Sequence, residues 1–444
     1  MAKRLQFITL IVSAFVKRHQ KYIILGIISG FFTTLLLLQI YPFYHEIIGT
    51  NPKKIAYVGE FNETNLPLSI KNQISLGLTS LSSNGEASPS LALSWKADAD
   101  GKTYIFSLSH DIFWHDGTKF TARDVNYKLK DVTFTPQDET TLKVTLKDSY
   151  APLPVILSTP LFKPNLIGLG IYKAVRIKYS QDNISELHLQ PLRKGLPPLI
   201  YKFYPTRQAA ILAFKLGEVN TLESISQLDD LSNWKNIKIR ELTQYDRFVG
   251  IFLNFRNPLF KEKEVRQALN YAIPKFEGFE KTYTPISPLS WAYSTNIRLY
   301  RYDMEAARKI LSKNPISSSS ATLTISTYAS LLQTAQTVAD TWENIGINTK
   351  IKVENSIPAD YQVFLLTLII PVDPDQYQYW QSTQEGTNLA HYSNLKIDKL
   401  LEDGRKTLDQ EKRKKIYADF QRYLIDDSPV IFLYYPKTYT VERE

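Results

Sequence analysis

The chain has 444 residues, of which 43% are hydrophobic and 22% are charged, so it is long enough for two lobes that each bury a core. It contains no cysteine, which excludes disulfides, a thiolate nucleophile, thiolate-bound zinc and a lipid-modified cysteine. The net charge of +9 is modest for this length and partly belongs to the first 50 residues, so it gives no reason to expect nucleic-acid binding.

An uncharged run near the N-terminus predicts a membrane helix. Tyr22–Ile40 carries no charged side chain and is about as long as a helix must be to cross a bilayer. Basic residues precede the run and one acidic residue, Glu46, follows it closely, so the positive-inside rule places residues 1–21 in the cytoplasm and residues from about 45 onward outside. Because no small-residue cleavage site follows, we expect residues 22–41 to be an uncleaved signal-anchor.

Short alternating runs predict that the soluble part begins with strands and turns. Residues 54–60 form a first strand, and 91–108 form two strands around an Asp/Gly turn at 98–102. Thr121 and Asp124 have capping-box spacing, which predicts a helix over 122–130. Further strands are expected at 141–148, 168–177 and 198–205.

The second half of the chain alternates helices and strands. Thr206 and Gly217 are residue types that begin and end a helix, here over 207–217. Apolar spacing predicts amphipathic helices over 263–273 and 303–311. The remaining expected elements are a flexible turn at 317–321, a β-α-β unit (322–328, 331–345 and 347–354), a buried strand at 362–370, a helix over 409–425 and a strand at 429–436.

This order of elements predicts an α/β protein of two lobes, each a mixed sheet flanked by helices, with a ligand-binding cleft between them. We expect residues 51–245 to form lobe I, to which residues 430–444 return, and residues 246–429 to form lobe II. The six histidines are scattered without ligand spacing, so the sequence predicts no metal site.

Several motifs follow one another in an order that resembles one protein family. Residues 90–125 contain LA-x-SW, then DGKTY-x-F-x-L, then HDG-x-x-F-x-A-x-DV. Further matches are 168-GLGIYK-173, 208-QAAILAFKLGEVN-220, 251-IFLNFRNPLFKEKEVRQALNYAI-273, 288-PLSWAY-293, 303-DMEAARKIL-311 and 428-SPVIFLYYP-436. Together they resemble the family 5 extracellular solute-binding proteins of ABC importers, which include oligopeptide-, dipeptide- and nickel-binding proteins.

The resemblance implies a periplasmic-binding-protein-like fold that closes by a hinge around a solute and delivers it to ABC permease subunits. With the anchor, the chain would be a single-pass cell-membrane protein that binds peptides or a related small solute outside the cytoplasm. The resemblance implies no catalysis and no cofactor. The residues expected near the cleft, where core packing is the competing role for each aromatic, are Trp114, Asn254, Trp291, Tyr293, Asp373, Asp375, Trp380 and Tyr392.

Two departures from the family pattern bear on the ligand. Peptide-binding members carry an Asp that pairs with the ligand's ammonium, and the matching position here is Ile370. Since a buried ammonium without a carboxylate is costly, either Asp373 or Asp375 replaces that Asp, or the ligand has no free amino terminus. A proline turn that caps the next helix is the alternative role for both Asp residues. The chain is also shortened near residue 131, which predicts a smaller or more exposed site.

Two other classes of function are compatible with the sequence. A sensor or scaffold descended from a binding protein would keep the fold without a transport role. An anchored hydrolase would need a nucleophile and base, a metal or a carboxylate pair, and no G-x-S-x-G, H-E-x-x-H or P-loop motif is present.

Overall fold

The computed structural model describes residues 18–22, 26, 30, 34, 51–313 and 322–444. Most of the predicted anchor and the predicted turn at 317–321 lie outside these residues. Among the residues that are described, no helix is both long and apolar enough to span a bilayer.

The first of two large sheets has seven strands, and side chains along its strands are buried alternately on its two faces. In the central strand, Ile55 and Tyr57 enter one core while Ala56 enters the other, as the two-residue period of a strand requires. The strands, in the spatial order β12-β19-β11-β1-β10-β9-β8, are β1 (Lys53–Val58), β8 (Tyr172–Ser180), β9 (Asn183–Pro191), β10 (Leu199–Tyr204), β11 (Thr221–Ile225), β12 (Ile237–Thr243) and β19 (Lys437–Arg443).

The second large sheet has six strands and is covered by helices on both faces. Val249 and Ile251 pack with one set of helices, and Phe248 and Phe252 pack with the other. Such double burial explains the nearly continuous apolar runs in its strands. In the order β14-β18-β13-β17-β15-β16, the strands are β13 (Arg247–Leu253), β14 (Glu280–Lys281), β15 (Leu323–Tyr328), β16 (Thr349–Glu354), β17 (Val363–Ile369) and β18 (Val430–Tyr435).

A smaller antiparallel sheet and a hairpin lie between β1 and β8 in the sequence. The sheet, in the order β4-β5-β7-β6, covers a core that includes Phe106, Trp114 and Val144. Its strands are β4 (Ala92–Ala97), β5 (Thr103–Leu108), β6 (Val132–Pro136) and β7 (Thr141–Leu146), and the hairpin strands are β2 (Thr79–Leu81) and β3 (Ala87–Pro89).

Side-chain caps begin several of the helices. Thr206 accepts a hydrogen bond from the Ala209 amide, and Asp409 accepts one from the Lys412 amide, which satisfies donors that a helix leaves free. The helices are α1 (Leu68–Ile74), α2 (Leu153–Ile156), α3 (Arg207–Lys215), α4 (Lys263–Tyr271), α5 (Met304–Lys313), α6 (Leu332–Glu343), α7 (Tyr377–Trp380), α8 (Leu395–Lys406) and α9 (Gln410–Asp427).

The chain crosses between the two large sheets at two adjacent points. Residues 244–246 connect β12 to β13, and Pro436 alone separates β18 from β19. The Gln244 amide donates to the Pro436 carbonyl at 2.8 Å, and the rings of Tyr245 and Tyr435 meet edge to face. The predicted boundary at residue 430 does not coincide with the sheets, because β18 belongs to the six-stranded sheet and the return occurs at Pro436.

The predicted helix over 122–130 is wrong, although its capping box forms. The Thr121 amide donates to Asp124 Oδ2 at 2.7 Å, yet only a 3-10 turn at Ala122–Asp124 follows. Val125, Tyr127 and Leu129 occupy alternate positions and pack on the core of the small sheet, whereas the residues between them are exposed. The segment thus follows a two-residue apolar period rather than the helical period that the capping box indicates.

The other expected elements are present within a few residues of their predicted bounds. The β-α-β unit pairs β15 and β16 in parallel, as its connection through α6 requires. Several elements were not predicted from the sequence, namely β2, β3, β6, β9, β11, β12, β13, β14, β19, α1, α2 and α8.

Candidate functional site

Three cavities lie where the small sheet and the β2–β3 hairpin meet the helices and loops of the six-stranded sheet. The largest, about 560 Å³, has Tyr150 and Leu153 on one side and Tyr377 and Arg405 on the other. Two cavities of about 250 Å³ each share Pro371 and Val372 as a common wall. One of them continues toward Arg405, and the other toward Asn84 and the crossing residues Tyr245 and Asp246.

The segment 370–378, which follows β17, supplies the wall common to these cavities. Its sequence, IPVDPDQYQ, contains two prolines and cannot continue the strand ladder, so the chain turns here and enters α7. Asp373 accepts a hydrogen bond from the Asp375 amide, and Asp375 accepts one from the Tyr377 amide. Both Asp residues therefore form the expected turn ahead of α7, and both also line the cavity beside Arg405.

Asp373 forms a buried ion pair with Arg413 of α9. Arg413 Nη2 donates to Asp373 Oδ1 at 2.6 Å and Nη1 donates to Oδ2 at 3.1 Å, while Nε donates to the Gly404 carbonyl. Both side chains are more than nine-tenths buried. Burial by itself would lower the pKa of Arg413, but the charge of the paired Asp373 carboxylate outweighs the effect of burial. The pKa of Arg413 is therefore raised overall, and the guanidinium stays charged.

Asp375 forms a second pair with Arg405, at the C-terminal end of α8. Arg405 Nε and Nη2 both donate to Asp375 Oδ2, at 3.2 and 2.9 Å. The guanidinium also lies over the rings of Tyr377 and Tyr150, 4.1 and 5.1 Å from their centroids. Burial raises the pKa of the Asp375 carboxyl, and Arg405 only partly opposes that effect.

Hydrogen bonds to backbone carbonyls join residues 149–151 to the end of α8 across the site. The Ala151 amide donates to the Arg405 carbonyl at 2.8 Å, and the Ser149 hydroxyl donates to the Lys406 carbonyl at 3.0 Å. These bonds satisfy carbonyls that the end of α8 leaves free. On the far side, the Trp291 amide donates to the Asn84 carbonyl at 3.2 Å.

The predicted site residues occupy different surroundings. Asp373 and Asp375 line one of the two smaller cavities. Trp291 contacts the partner of Asp373, because the guanidinium carbon of Arg413 lies 5.3 Å from the centroid of the Trp291 ring. Tyr293 is half-buried. The role of these four residues as ligand contacts stays a prediction.

The other four predicted residues are buried, and none of them lines the three cavities. Trp114 lies in the core of the small sheet, and its indole Nε1 has no hydrogen-bond partner among the residues that the structure describes. Asn254 donates to the Tyr361 carbonyl and accepts from the Arg256 amide. Trp380 stacks on Phe252, and the Tyr392 hydroxyl donates to Asp427 at 2.6 Å. Their direct contact with a solute stays a prediction.

The residues that sequence reasoning missed are the two arginines and the tyrosines around them. Arg413 sits in the basic run 412–415, a composition that favours a solvated face, and it is the one residue of this run that is buried. Its partner is 40 positions away along the chain, so no local spacing reveals the pair. The helical period of α9 would have indicated that Arg413 and Tyr417 share the buried face.

His115 has a structural role in the segment that carries the family motif. Its Nε2 is 3.0 Å from the Gly170 carbonyl, and its backbone amide donates to the Gly168 carbonyl. Burial lowers its pKa, which favours the neutral ring. Within the described ranges, no group of three or more His, Asp and Glu side chains is placed to hold a metal ion.

The comparisons with known proteins agree with this architecture. Residues 86–389 match the model of the bacterial extracellular solute-binding proteins, family 5 Middle. The oligopeptide-binding protein AppA of Bacillus subtilis is 25% identical over 90% of this chain and 87% of its own length. The structure of NikZ from Campylobacter jejuni in complex with Ni(L-His) covers 88% of this chain and 94% of its own, with a TM-score of 0.72 and 25% identity.

Two further solved structures share the fold at lower identity. CtaP from Listeria monocytogenes has a TM-score of 0.76 at 22% identity, with 88% of this chain and 94% of its own covered. AppA from Bacillus subtilis, in complex with a nonapeptide, has a TM-score of 0.69 at 22% identity, with 89% and 94% covered.

Two lobes joined by adjacent crossings, with cavities at their junction, define a solute-binding protein that closes about a hinge. The chain belongs to family 5 of the bacterial extracellular solute-binding proteins, the binding subunits of ABC importers. Its members bind solutes without converting them, so the hydrolase alternative is set aside.

Proposed function

We propose that this chain captures a short peptide or a related small solute outside the cytoplasm and delivers it to an ABC permease. Relatives named as oligopeptide-, dipeptide- and di/tripeptide-binding proteins support a peptide-like solute. Three cavities at the lobe junction provide the space, and two of them are walled by the segment 370–378.

The observation that carries the proposal is the position of the crossings relative to one cavity. Tyr245 and Asp246 belong to the first crossing and also line the cavity that contains Asn84 and Val372. A solute seated there would contact both lobes and the hinge, so its binding energy would favour the closed form directly.

We also propose that residues 22–41 tether the protein to the membrane, with the soluble part outside. The support is the uncharged run Tyr22–Ile40 and the basic residues before it. The full-length chain should remain in the membrane pellet after extraction with alkaline carbonate. Release into the supernatant would contradict the tether without affecting the binding function.

The ligand can be identified from the protein itself. We expect the full-length chain, purified in detergent from its native host and then denatured, to release a peptide-like compound that mass spectrometry detects. A sample denatured after extensive dialysis is the control for tightly held contaminants. Absence of any enriched small molecule, together with no permease recovered by affinity purification, would favour the sensor or scaffold function instead.

A further inference from the structure

Each carboxylate that lines the two smaller cavities is already paired with an arginine. Asp373 pairs with Arg413, and Asp375 with Arg405. The third, Asp246, receives hydrogen bonds from Arg247 Nε and Nη2 at 3.0 and 2.8 Å. Because arginine stays protonated, the charge of each of these carboxylates is already balanced by a cation.

The position before the Asp373 turn does not supply a carboxylate either. Ile370 is 4% exposed, belongs to the core with Phe248 and Leu366, and contributes to the wall of the cavity beside Asn84. Apart from Asp246, the polar side chains of that cavity are serines, Asn84 and Tyr245, all of which are uncharged. A desolvated ammonium in either small cavity would therefore lack a compensating charge.

Arg405, by contrast, has hydrogen-bonding capacity to spare. Its two bonds to Asp375 use Nε and Nη2, and its guanidinium also interacts with the Tyr150 hydroxyl. Even so, at least two of its five N–H groups have no acceptor among the described hydrogen bonds. The guanidinium is held by Asp375 and by two aromatic rings, so it is preorganised to receive a ligand carboxylate.

The cavity beside Arg405 has the size and lining of a small-solute site. Its volume is about 250 Å³, below the range of drug-sized ligands. The apolar part of its wall consists of Pro152, Val155, Ile156, Pro371 and Val372.

We propose that the solute is a small N-blocked compound with a free carboxylate, such as an N-acylated dipeptide, and that its carboxylate binds Arg405. This inference rests on the proposed function and specifies its ligand. The acyl group replaces the ammonium with a neutral amide, which the apolar wall and the uncharged polar groups accept without a charge partner.

The largest cavity is the alternative place for an ammonium. It holds carboxylates that no described ion pair engages, but cationic side chains line it as well, and most of its charged residues are exposed and thus screened by solvent. The carboxylates are those of Asp131, Asp148 and Glu402, and the cations are those of Lys130, Lys147, Arg405 and Lys406.

Three matched probes test the proposal by calorimetric titration of the full-length chain in detergent. These are N-acetyl-Ala-Ala, free Ala-Ala and N-acetyl-Ala-Ala amide. We expect the first to bind at least about tenfold more tightly than the amide, which lacks the charge-assisted hydrogen bond to Arg405. We expect a similar margin over Ala-Ala, because its ammonium would be desolvated without an unpaired carboxylate. Tighter binding of Ala-Ala would overturn the inference and leave the proposed function intact, whereas no binding of any probe would overturn both.

Substitutions of Arg405 test whether this residue is the one that binds the carboxylate of the probe. Arg405→Gln should weaken N-acetyl-Ala-Ala at least about tenfold and leave the amide probe unchanged, because only the carboxylate uses the guanidinium. If Arg405→Gln fails to fold, Arg405→Lys should show the same selective loss to a smaller degree. Arg422→Gln, which breaks an exposed pair with Asp419 on α9, is the matched control. Equal losses for both probes, or Ala-Ala binding that disappears in Glu402→Gln, would contradict the assignment.

Discussion

The ion pair of Asp373 and Arg413 holds the turn that lines one of the smaller cavities. Its two hydrogen bonds join the turn after β17 to α9, and both partners are withdrawn from water. Such a pair costs desolvation energy to form, so its contribution lies more in holding the turn in place than in net stability.

Removing one partner of this ion pair should therefore lower the free energy of unfolding more than replacing both partners by apolar residues. We expect Asp373→Asn to lower the free energy of unfolding by about 3–5 kcal/mol, because Arg413 would remain buried without a counter-ion. The double variant Asp373→Leu with Arg413→Met should lose less than the single one. Urea denaturation followed by tryptophan fluorescence measures both, and equal losses would show that the pair itself supplies the stability.

Position 370 offers a gain-of-function test at the same scale. Ile370→Asp should increase the affinity for free Ala-Ala by about tenfold, since a charge-assisted bond to the ammonium becomes available, while it lowers stability. The neighbour Ile369 is 59% exposed, so Ile369→Asp is the matched control. Calorimetric titration with Ala-Ala distinguishes them, and an equal effect at both positions would contradict a specific role for position 370.

At the scale of elements, the segment 125–129 shows a tertiary contact replacing a local preference. The Tyr127 hydroxyl receives a hydrogen bond from the Leu78 amide and lies 2.9 Å from each of the carbonyls of Leu157 and Thr159. This hydroxyl ties the non-helical segment 125–129 to the residue before β2 and to the loop after α2. A helix over 122–130 would have removed Tyr127 from these partners.

Loss of that hydroxyl should be costly. Tyr127→Phe leaves backbone groups in a buried environment without their partner, and we expect the free energy of unfolding to fall by about 1–3 kcal/mol. Tyr179, whose hydroxyl meets Glu63 on the surface, provides the control Tyr179→Phe, with little expected change. Thermal unfolding of both variants checks this, and similar melting temperatures would argue against a structural role for the Tyr127 hydroxyl.

For the whole molecule, the adjacent crossings at 244–246 and Pro436 form a hinge, and the contacts between Ser149, Ala151 and the end of α8 oppose its opening. We expect solute exchange to break these contacts, whereas the crossings stay joined through the hydrogen bond between Gln244 and Pro436. The native chain has no cysteine, so introduced cysteines can be cross-linked without competition.

A short bismaleimide between Ser149→Cys and Lys406→Cys should slow the exchange of a bound solute at least about tenfold, because the lobes can no longer separate. The pair Lys178→Cys and Glu186→Cys lies across two strands of one sheet and should have no effect when cross-linked. Stopped-flow displacement of a fluorescent probe measures the rate. Unchanged exchange in the first pair would mean that the solute leaves without opening this contact.

The amino-acid sequence by itself determined the family motifs, four strands of the six-stranded sheet (β15 to β18) and three strands of the seven-stranded sheet (β1, β8 and β10), because apolar periods and caps act over a few residues. The turn at 370–376 and the missing carboxylate at Ile370 were also visible in it. Only the tertiary structure decided that Val125–Leu129 is not helical, that β18 and β19 belong to different sheets, and that Arg405 and Arg413 neutralise the two Asp residues. These outcomes depend on contacts between residues far apart in the chain, whose burial and pairing energies exceed local preferences and leave no periodic signal.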